Sequence, residues 1–358
     1  MDTLIATEKM VSLAPLTTLE LGGAASELVR ITSSGQAAEV VRWWRALPAD
    51  SRSPLLPLGG GSNLLVSDSG FRGLVLKMEN REFEVLEESE SRVVVRVGAG
   101  MIWDDFVARA VKEGWAGVEC LSGIPGSVGA APVQNIGAYG QEVAEVVLAV
   151  QGIDCDTGEP FERDNSECEF CYRDSYFKRS ERGRYLITAV TFALRAGGEP
   201  TIRYQDLLKR CDERDAHTLD SVRGLVLEIR RSKSMVYDKT DQNHRSAGSF
   251  FTNPIVPEEV GDRIRAELEP ATRFPCFPHG EGMVKLSAAW LIDNAGMGKG
   301  FRHRPDARVG LSTNHVLALT NRGGATSAEL LELSAHVQRV VKERFGVTLV
   351  PEPVFVGF

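Results

Sequence analysis

The first chemistry the sequence offers lies at 59–63, where Gly59, Gly60 and Gly61 are followed by Ser62 and Asn63. Three glycines in a row place no Cβ in the way of converging backbone N–H groups, which suits such a run to cradling an anion. The flanks, PLLPL before it and Leu64 onward after it, read as strands. The Gly-Lys-Ser/Thr of a Walker A loop does not follow, and the segment does not open a helix as a Rossmann fingerprint does. A tight hairpin loop is the competing reading. A second stretch, GIPGSVGAAPVQNIGAYG at 123–140, has no charged residue and carries glycines at 123, 126, 129, 137 and 140. Backbone that bare lets a planar ligand lie against it; a close-packed core loop is the alternative. Two such loops bracketing a run of strands suggest a dinucleotide held between two sub-lobes.

Single polar side chains stand out downstream. Arg173 sits in Tyr172-Arg173-Asp174-Ser175, where a planar guanidinium would bind a carboxylate or phosphate, or else make a surface salt bridge. Ser249 lies between Gly248 and two phenylalanines, as a proton donor or as a turn residue. No Gly-x-Ser-x-Gly elbow and no His/Asp pattern accompanies it, which argues against a serine nucleophile. Glu352 stands between Pro351 and Pro353, so that one carboxylate is presented rigidly or an edge strand carries a charge. Cys168 and Cys171 form a C-x-x-C pair, but no second pair and no close histidine pair completes a zinc set. The scattered histidines read as structural, and no metal is expected.

These residues need elements to hold them. Residues 36–47 read as an amphipathic helix ended by Pro48, and 103–113 as a helix closed by Gly114. Residues 73–78, 83–89 and 92–98 read as successive strands of one meander. AEVVLAVQGIDCDTGEPFE from 144 reads as strand, Asp-Thr-Gly turn and strand, and 185–195 as another strand. Residues 284–296 read as a buried helix. In 326–346, Thr326 and Glu329 make a capping box, Leu330, Leu333, Val337, Val340, Val341 and Phe345 an apolar face, and Gly346 a stop. A last strand covers TLVPEPVFVGF. The fold class is α+β: a strand-rich part over roughly 1–200, divided near residue 78, and a mixed part over 215–358.

At 358 residues the chain is too long for one core. It is 43% hydrophobic and 25% charged, enough to bury sizeable cores without disulfides. A net charge of -8 with no basic block argues against a nucleic-acid partner. The N-terminus has no basic-then-apolar leader, and there is no run of 18 apolar residues. The expectation is a cytoplasmic protein with reduced thiols, no membrane contact and no obligate protein partner.

Six segments together resemble one family. LGGGSNLLVSD, GAGMIWDDFV, LSGIPGSVGAAPVQNIGAYGQEV, CYRDSYFK, GSFFTNP and LVPEPVFVGF, in this order from about residue 17 to the end, are similar to the UDP-N-acetylenolpyruvoylglucosamine reductases. The resemblance implies a non-covalent FAD lobe of the vanillyl-alcohol-oxidase type in two sub-lobes, over 1–200, and a C-terminal α+β substrate domain over 215–358. It implies FAD contacts at Gly59, Gly60, Gly61, Ser62, Asn63, Leu64, Gly123, Ser127, Gly129, Ala130, Asn135, Gly137 and Ala138. It assigns catalysis to Arg173, Ser249 and Glu352, and substrate binding to Tyr139, Tyr204, Lys233 and Asn253. NADPH would be the reductant, a sugar-nucleotide enol ether the substrate, and UDP-N-acetylmuramate, a peptidoglycan precursor, the product. Two departures appear: Thr252 stands where the family often has a basic residue, and Pro353 follows Glu352.

The implied chemistry suits the residue types. Hydride added to the β carbon of an enolpyruvyl ether leaves negative charge on the substrate carboxylate, which a cation such as Arg173 stabilises and a protonated Glu352 would share. The α carbon is then basic enough to take a proton from a hydroxyl such as that of Ser249. The rival is another flavin oxidoreductase of the same fold, acting on a sugar or alcohol. Such enzymes often tether the flavin through His or Cys, and no histidine lies in 59–63 or 117–140.

Overall fold

The computed structural model describes residues 5–358. Strands β1 (Glu8–Ser12) and β2 (Ala24–Ile31) are antiparallel neighbours. Helix α1 (Ser34–Ala46) starts where the Ser33 hydroxyl accepts from the Gln36 amide, and it buries Ala37, Val40 and Val41. Strands β3 (Leu55–Leu58), β4 (Leu64–Val66) and β5 (Phe71–Met78) follow. Then come β6 (Phe83–Glu88), β7 (Val93–Gly98), α2 (Trp103–Lys112) and the short β8 (Trp115–Ala116). The second glycine-rich stretch is almost free of regular structure. Its one hairpin joins β9 (Gly137–Ala138) to β10 (Gln141–Glu142). Beyond it lie β11 (Val147–Asp154), β12 (Pro160–Asp164), the single-turn α3 (Tyr176–Arg179) and the long β13 (Tyr185–Ala196).

The remainder is more helical: α4 (Gln205–Arg214), α5 (Leu219–Ser232), β14 (Ile255–Pro257), α6 (Glu258–Ala266), β15 (Cys276–Pro278), β16 (Met283–Leu286), α7 (Ala288–Asn294), β17 (Val309–Leu311), β18 (Leu319–Asn321), α8 (Ser327–Phe345) and β19 (Val354–Val356). Contacts divide the chain into two units. The first takes the chain up to Ser12, then Ala24–Gly61 and Gly70–Tyr237; the second takes Leu13–Gly23, Ser62–Ser69 and Asp238–Phe358.

The first unit holds two sheets. One runs β1-β2-β5-β3, with β2, β5 and β3 mutually parallel. The other is antiparallel, in the order β12-β11-β13-β7-β6, with β8 on the end of β13. Apolar residues of both sheets and of α1 and α2 form one core; Leu74, Val95, Trp103, Phe106 and Phe192 lie within it. Helices α4 and α5 enclose a smaller apolar cluster with Cys120. In the second unit, β14-β16-β15, the pair β17–β18 and the parallel pair β19–β4 surround a core with Phe250, Phe251, Ile292 and the inner face of α8. Thr326 and Glu329 cap α8 reciprocally, and Gly346 ends it in the left-handed region at φ 70°.

Three sequence expectations are corrected. The meander over 73–98 is split: β5 belongs to the parallel sheet, while β6 and β7 belong to the antiparallel one. The apolar pattern of β5 is continuous because both its neighbours are parallel strands and it is buried. Residues 284–296 are not one helix. β16 ends at Leu286, and Ser287 caps a shorter α7 by accepting from the Trp290 amide. The terminal strand is confined to Val354–Val356, since Pro351 and Pro353 remove backbone donors upstream.

Candidate active site

The two glycine-rich segments meet inside the first unit. Gly59 follows β3, and a Cβ on it would lie 2.2 Å from Ser127 Oγ. A Cβ on Gly60 would lie 2.6 Å from the Cα of Gly126. Backbone therefore passes backbone at a distance only glycine permits. Gly61, at φ 64°, turns the chain out of the loop. Ser127 opens a short 3₁₀ turn, Val128–Ala130, and Gly129 rests where a Cβ would meet that of Ala99 at 2.4 Å. The Ser127 hydroxyl is buried and has no hydrogen-bond partner among the described residues. A buried unmet hydroxyl costs about 1–3 kcal/mol, which an acceptor arriving here would offset.

Farther along the same stretch, the structure gathers Asn135, Gly137, Ala138, Tyr139 and Arg173. Arg173 has φ 53° and donates from Nη1 to Asn135 O at 3.3 Å and from Nη2 to Gly137 O at 2.7 Å. Lys178 Nζ in turn donates to Arg173 O at 2.6 Å. Asn135 is buried; its carboxamide donates to Glu142 Oε2 and Cys171 O and accepts from the Ala144 amide. It thereby orients the carbonyl that holds Arg173. Tyr139 and Gly140, both at positive φ, form the turn between β9 and β10. The Tyr139 ring packs edge-on to Tyr204, 5.8 Å between centroids, at the start of α4. Burial raises the Tyr139 hydroxyl above its ordinary pKa.

The second unit brings Ser249 and Glu352 onto neighbouring segments joined by an isolated bridge. Gly248, at φ 69°, precedes the half-buried Ser249. Phe250 O accepts from the Glu352 amide at 2.9 Å, Phe251 bridges to Pro351, and the Thr252 amide donates to Val350 O at 3.0 Å. Phe250 and Phe251 are fully buried, so the two phenylalanines that follow Ser249 anchor it. Ser62 O accepts from Thr18 Oγ1 at 3.4 Å, Asn63 Nδ2 donates to Glu352 O at 3.2 Å, and Asn63 O accepts from the Val354 amide. Asn63 therefore fixes the backbone of Glu352, and Leu64 begins the strand paired with β19. Asn253 Oδ1 accepts from the Ala288 amide at 3.0 Å.

Lys233 closes α5 in the first unit and is exposed. Two charged residues there escaped the sequence reading. Lys77 on β5 donates to Gly59 O, and burial, ahead of the charges of Arg30 and Arg81, lowers its pKa. Arg230, one turn before Lys233, is 7% exposed. A signal for Arg230 was present: it stands four residues after Val226, on the face of α5 that buries Val222, Leu225 and Ile229. A charge on an apolar helix face is a departure from amphipathic pattern. For Lys77 the periodicity of a parallel strand carries no such contrast.

All six cysteines are free, and burial pushes the Cys168 thiol up to about 12 while Cys171 is exposed. Among the described residues, no group of three or more His, Cys, Asp or Glu is placed to hold a metal ion, and no helix is long and apolar enough to cross a membrane.

Residues 25–162 match an FAD binding domain family, and residues 239–356 match the C-terminal domain of UDP-N-acetylenolpyruvoylglucosamine reductase. The chain is 46% identical to the UDP-N-acetylenolpyruvoylglucosamine reductase of Thermobifida fusca, over 97% of each protein. It is also 46% identical to the reductase of that name from Streptomyces coelicolor, over 96% of this chain and 89% of the relative. Among solved structures it is similar to UDP-N-acetylenolpyruvylglucosamine reductase from Thermus caldophilus, with TM-score 0.65, 25% identity and coverage of 98% and 99% of the two chains.

Proposed function

The chain belongs to the UDP-N-acetylenolpyruvoylglucosamine reductase family, and from that premise we propose how its residues carry the family's reaction. It is a flavin-dependent oxidoreductase of α+β fold, with an FAD-binding lobe of the vanillyl-alcohol-oxidase type. It reduces UDP-N-acetylglucosamine enolpyruvate to UDP-N-acetylmuramate in peptidoglycan precursor synthesis. In our reading NADPH is the reductant and the protein works in the cytoplasm without an obligate protein partner. FAD takes residues 1–200, in two sub-lobes divided near residue 78, and the sugar nucleotide takes 215–358.

The observation that carries this reading is the close approach of Gly59 and Gly60 to Gly126 and Ser127, with a buried hydroxyl left unmet there. Those residues fit the pyrophosphate of FAD: bare backbone and a buried hydroxyl without a partner among the described residues. Gly61, Ser62, Asn63 and Leu64 on one loop, and Gly123, Gly129, Ala130, Asn135, Gly137 and Ala138 on the other, continue the contact. FAD bound there would supply hydride transfer, from NADPH to the β carbon of the enol ether.

The protein's own residues do the rest. Arg173, its guanidinium fixed by the Asn135 and Gly137 carbonyls, is assigned to the substrate carboxylate, where negative charge develops. Ser249 gives its hydroxyl proton to the α carbon, and Glu352 shares in steadying the carboxylate charge in its protonated form, as a hydrogen-bond donor. Lys233 and Asn253 are assigned to the diphosphate, Tyr204 to a loop that covers the substrate, and Tyr139 to a further substrate contact. Reductant and substrate use one flavin in turn, so ping-pong kinetics are expected. The test is NADPH oxidation by the purified protein on addition of the enolpyruvyl sugar nucleotide: oxidation dependent on both supports the reading, and flavin binding without turnover counts against it.

A further inference from the structure

Glu119 is a carboxylate that the fold removes from water, and its side chain is fully buried. It heads the short 3₁₀ turn Glu119–Leu121, just before the second glycine-rich segment. Three neutral N–H groups from three stretches of chain converge on it. The Gly117 amide donates to Oε2 at 2.7 Å, and the Thr201 amide and Gln141 Nε2 donate to Oε1 at 2.8 and 3.0 Å. Gln141, itself buried, turns its Oε1 back to accept from the Cys120 amide at 3.0 Å. Burying a carboxylate is expensive unless donors surround it. Here the donors come from segments that the sequence keeps far apart, and the side chain fastens them together.

The segments so joined carry two aromatic rings. Gln141 opens β10, the second strand of the hairpin whose turn bears Tyr139. Thr201 lies in the stretch 197–204, which links β13 to α4 without helix or strand and ends at Tyr204, the N-cap residue of that helix. Tyr139 and Ile202 both pack on the apolar cluster that holds Cys120, Leu207, Cys211 and Val222. The two tyrosine rings meet edge-on, 5.8 Å between centroids. The ion pair of this linker, Arg203 with Glu145 at 2.8 Å, lies toward the surface, where such a pair contributes little. The buried tie through Glu119 therefore governs where Tyr204 stands with respect to Tyr139.

We infer that Glu119 is a positioning residue for the substrate: it holds the 197–204 linker to the β9–β10 hairpin, so that Tyr139 and Tyr204 meet the sugar nucleotide as one preformed edge. This rests on the substrate assignments of the two tyrosines given above. The experiment follows reoxidation of the reduced, FAD-loaded protein by the enolpyruvyl sugar nucleotide, together with FAD affinity. It compares wild type, Glu119→Leu, Glu119→Gln, Tyr204→Ala and the double variant Glu119→Leu/Tyr204→Ala. Glu119→Leu should raise the half-saturating substrate concentration at least about tenfold, with the limiting rate and FAD affinity within about twofold of wild type. Glu119→Gln keeps one oxygen for the Thr201 and Gln141 donors and should recover most of the loss. The double variant should bind substrate no worse than Tyr204→Ala alone, since residues that act through one another are not additive. If Glu119→Leu fails to fold, Thr201→Pro, which removes the amide donor of the linker and keeps the carboxylate, should show the same rise and the same lack of additivity with Tyr204→Ala. Losses that add in the double variant, or an equal loss of FAD affinity, would make Glu119 a support of the fold alone and overturn the inference. A wild-type protein whose reduced flavin the enol ether fails to reoxidise would instead refute the function it rests on.

Discussion

At the scale of single residues, Ser249 and Gly60 are the most exposed to test. Replacing Ser249 by Ala should leave flavin reduction by NADPH unaltered and slow the oxidation of reduced flavin by substrate by roughly 10²–10⁴, the range for loss of a positioned proton donor. Stopped-flow flavin absorbance separates the two half-reactions, and equal slowing of both would remove Ser249 from the role of acid. Gly60→Ala would place a methyl 2.6 Å from the Gly126 backbone. The misfit should destabilise the fold by about 1–3 kcal/mol in urea denaturation and weaken FAD binding by roughly tenfold or more, about 1.4 kcal/mol. Retained FAD affinity would show that the two loops do not make the cradle. The glycine loops were legible because missing side chains are visible in any sequence. Ser127's orphaned hydroxyl was not, since an unmet bond depends on which neighbours fail to arrive.

At the scale of elements, the link between α2 and α5 sets an acid limit. Burial raises the Asp104 carboxyl, but the Arg223 hydrogen bonds and then the Gly123 amide outweigh it and hold the pKa below the ordinary value. A depressed folded-state pKa contributes stability that is present above the unfolded value and lost as pH falls through the folded one. Asp104→Asn should therefore be less stable than wild type near pH 7, with the difference shrinking below about pH 4; denaturant midpoints across pH read this directly. In α8, Thr326→Ala should cost about 1 kcal/mol in urea unfolding and leave turnover untouched. That helix was fully legible, because cap, apolar face and stop residue agree. The 73–98 segment was misjudged because strand character is local and sheet membership is not: β5 and β6 are separated by four residues yet join different sheets. Likewise, Ser287 turns a run of apolar residues into a strand and a helix through a cap that periodicity does not register.

For the molecule as a whole, the retention of flavin separates the proposed reaction from the covalent flavoenzymes of the same fold type. Acid or guanidinium denaturation followed by filtration should release all yellow colour from the chain; colour that stays with the protein would favour the rival oxidoreductase. The α+β class was legible from the alternation of patterns. The composition of the second unit was not: it draws on Leu13–Gly23 and Ser62–Ser69 as well as the C-terminal part, and such pairing leaves no trace in the local sequence. The parallel pairing of Leu64–Val66 with Val354–Val356 has a consequence for biosynthesis. At ordinary translation rates about 290 residues take ~15–60 s to follow the first strand out of the ribosome. Through that interval Leu64, Leu65 and Val66 wait for a partner not yet made, so nascent chains stalled before residue 354 should be the species that general chaperones capture.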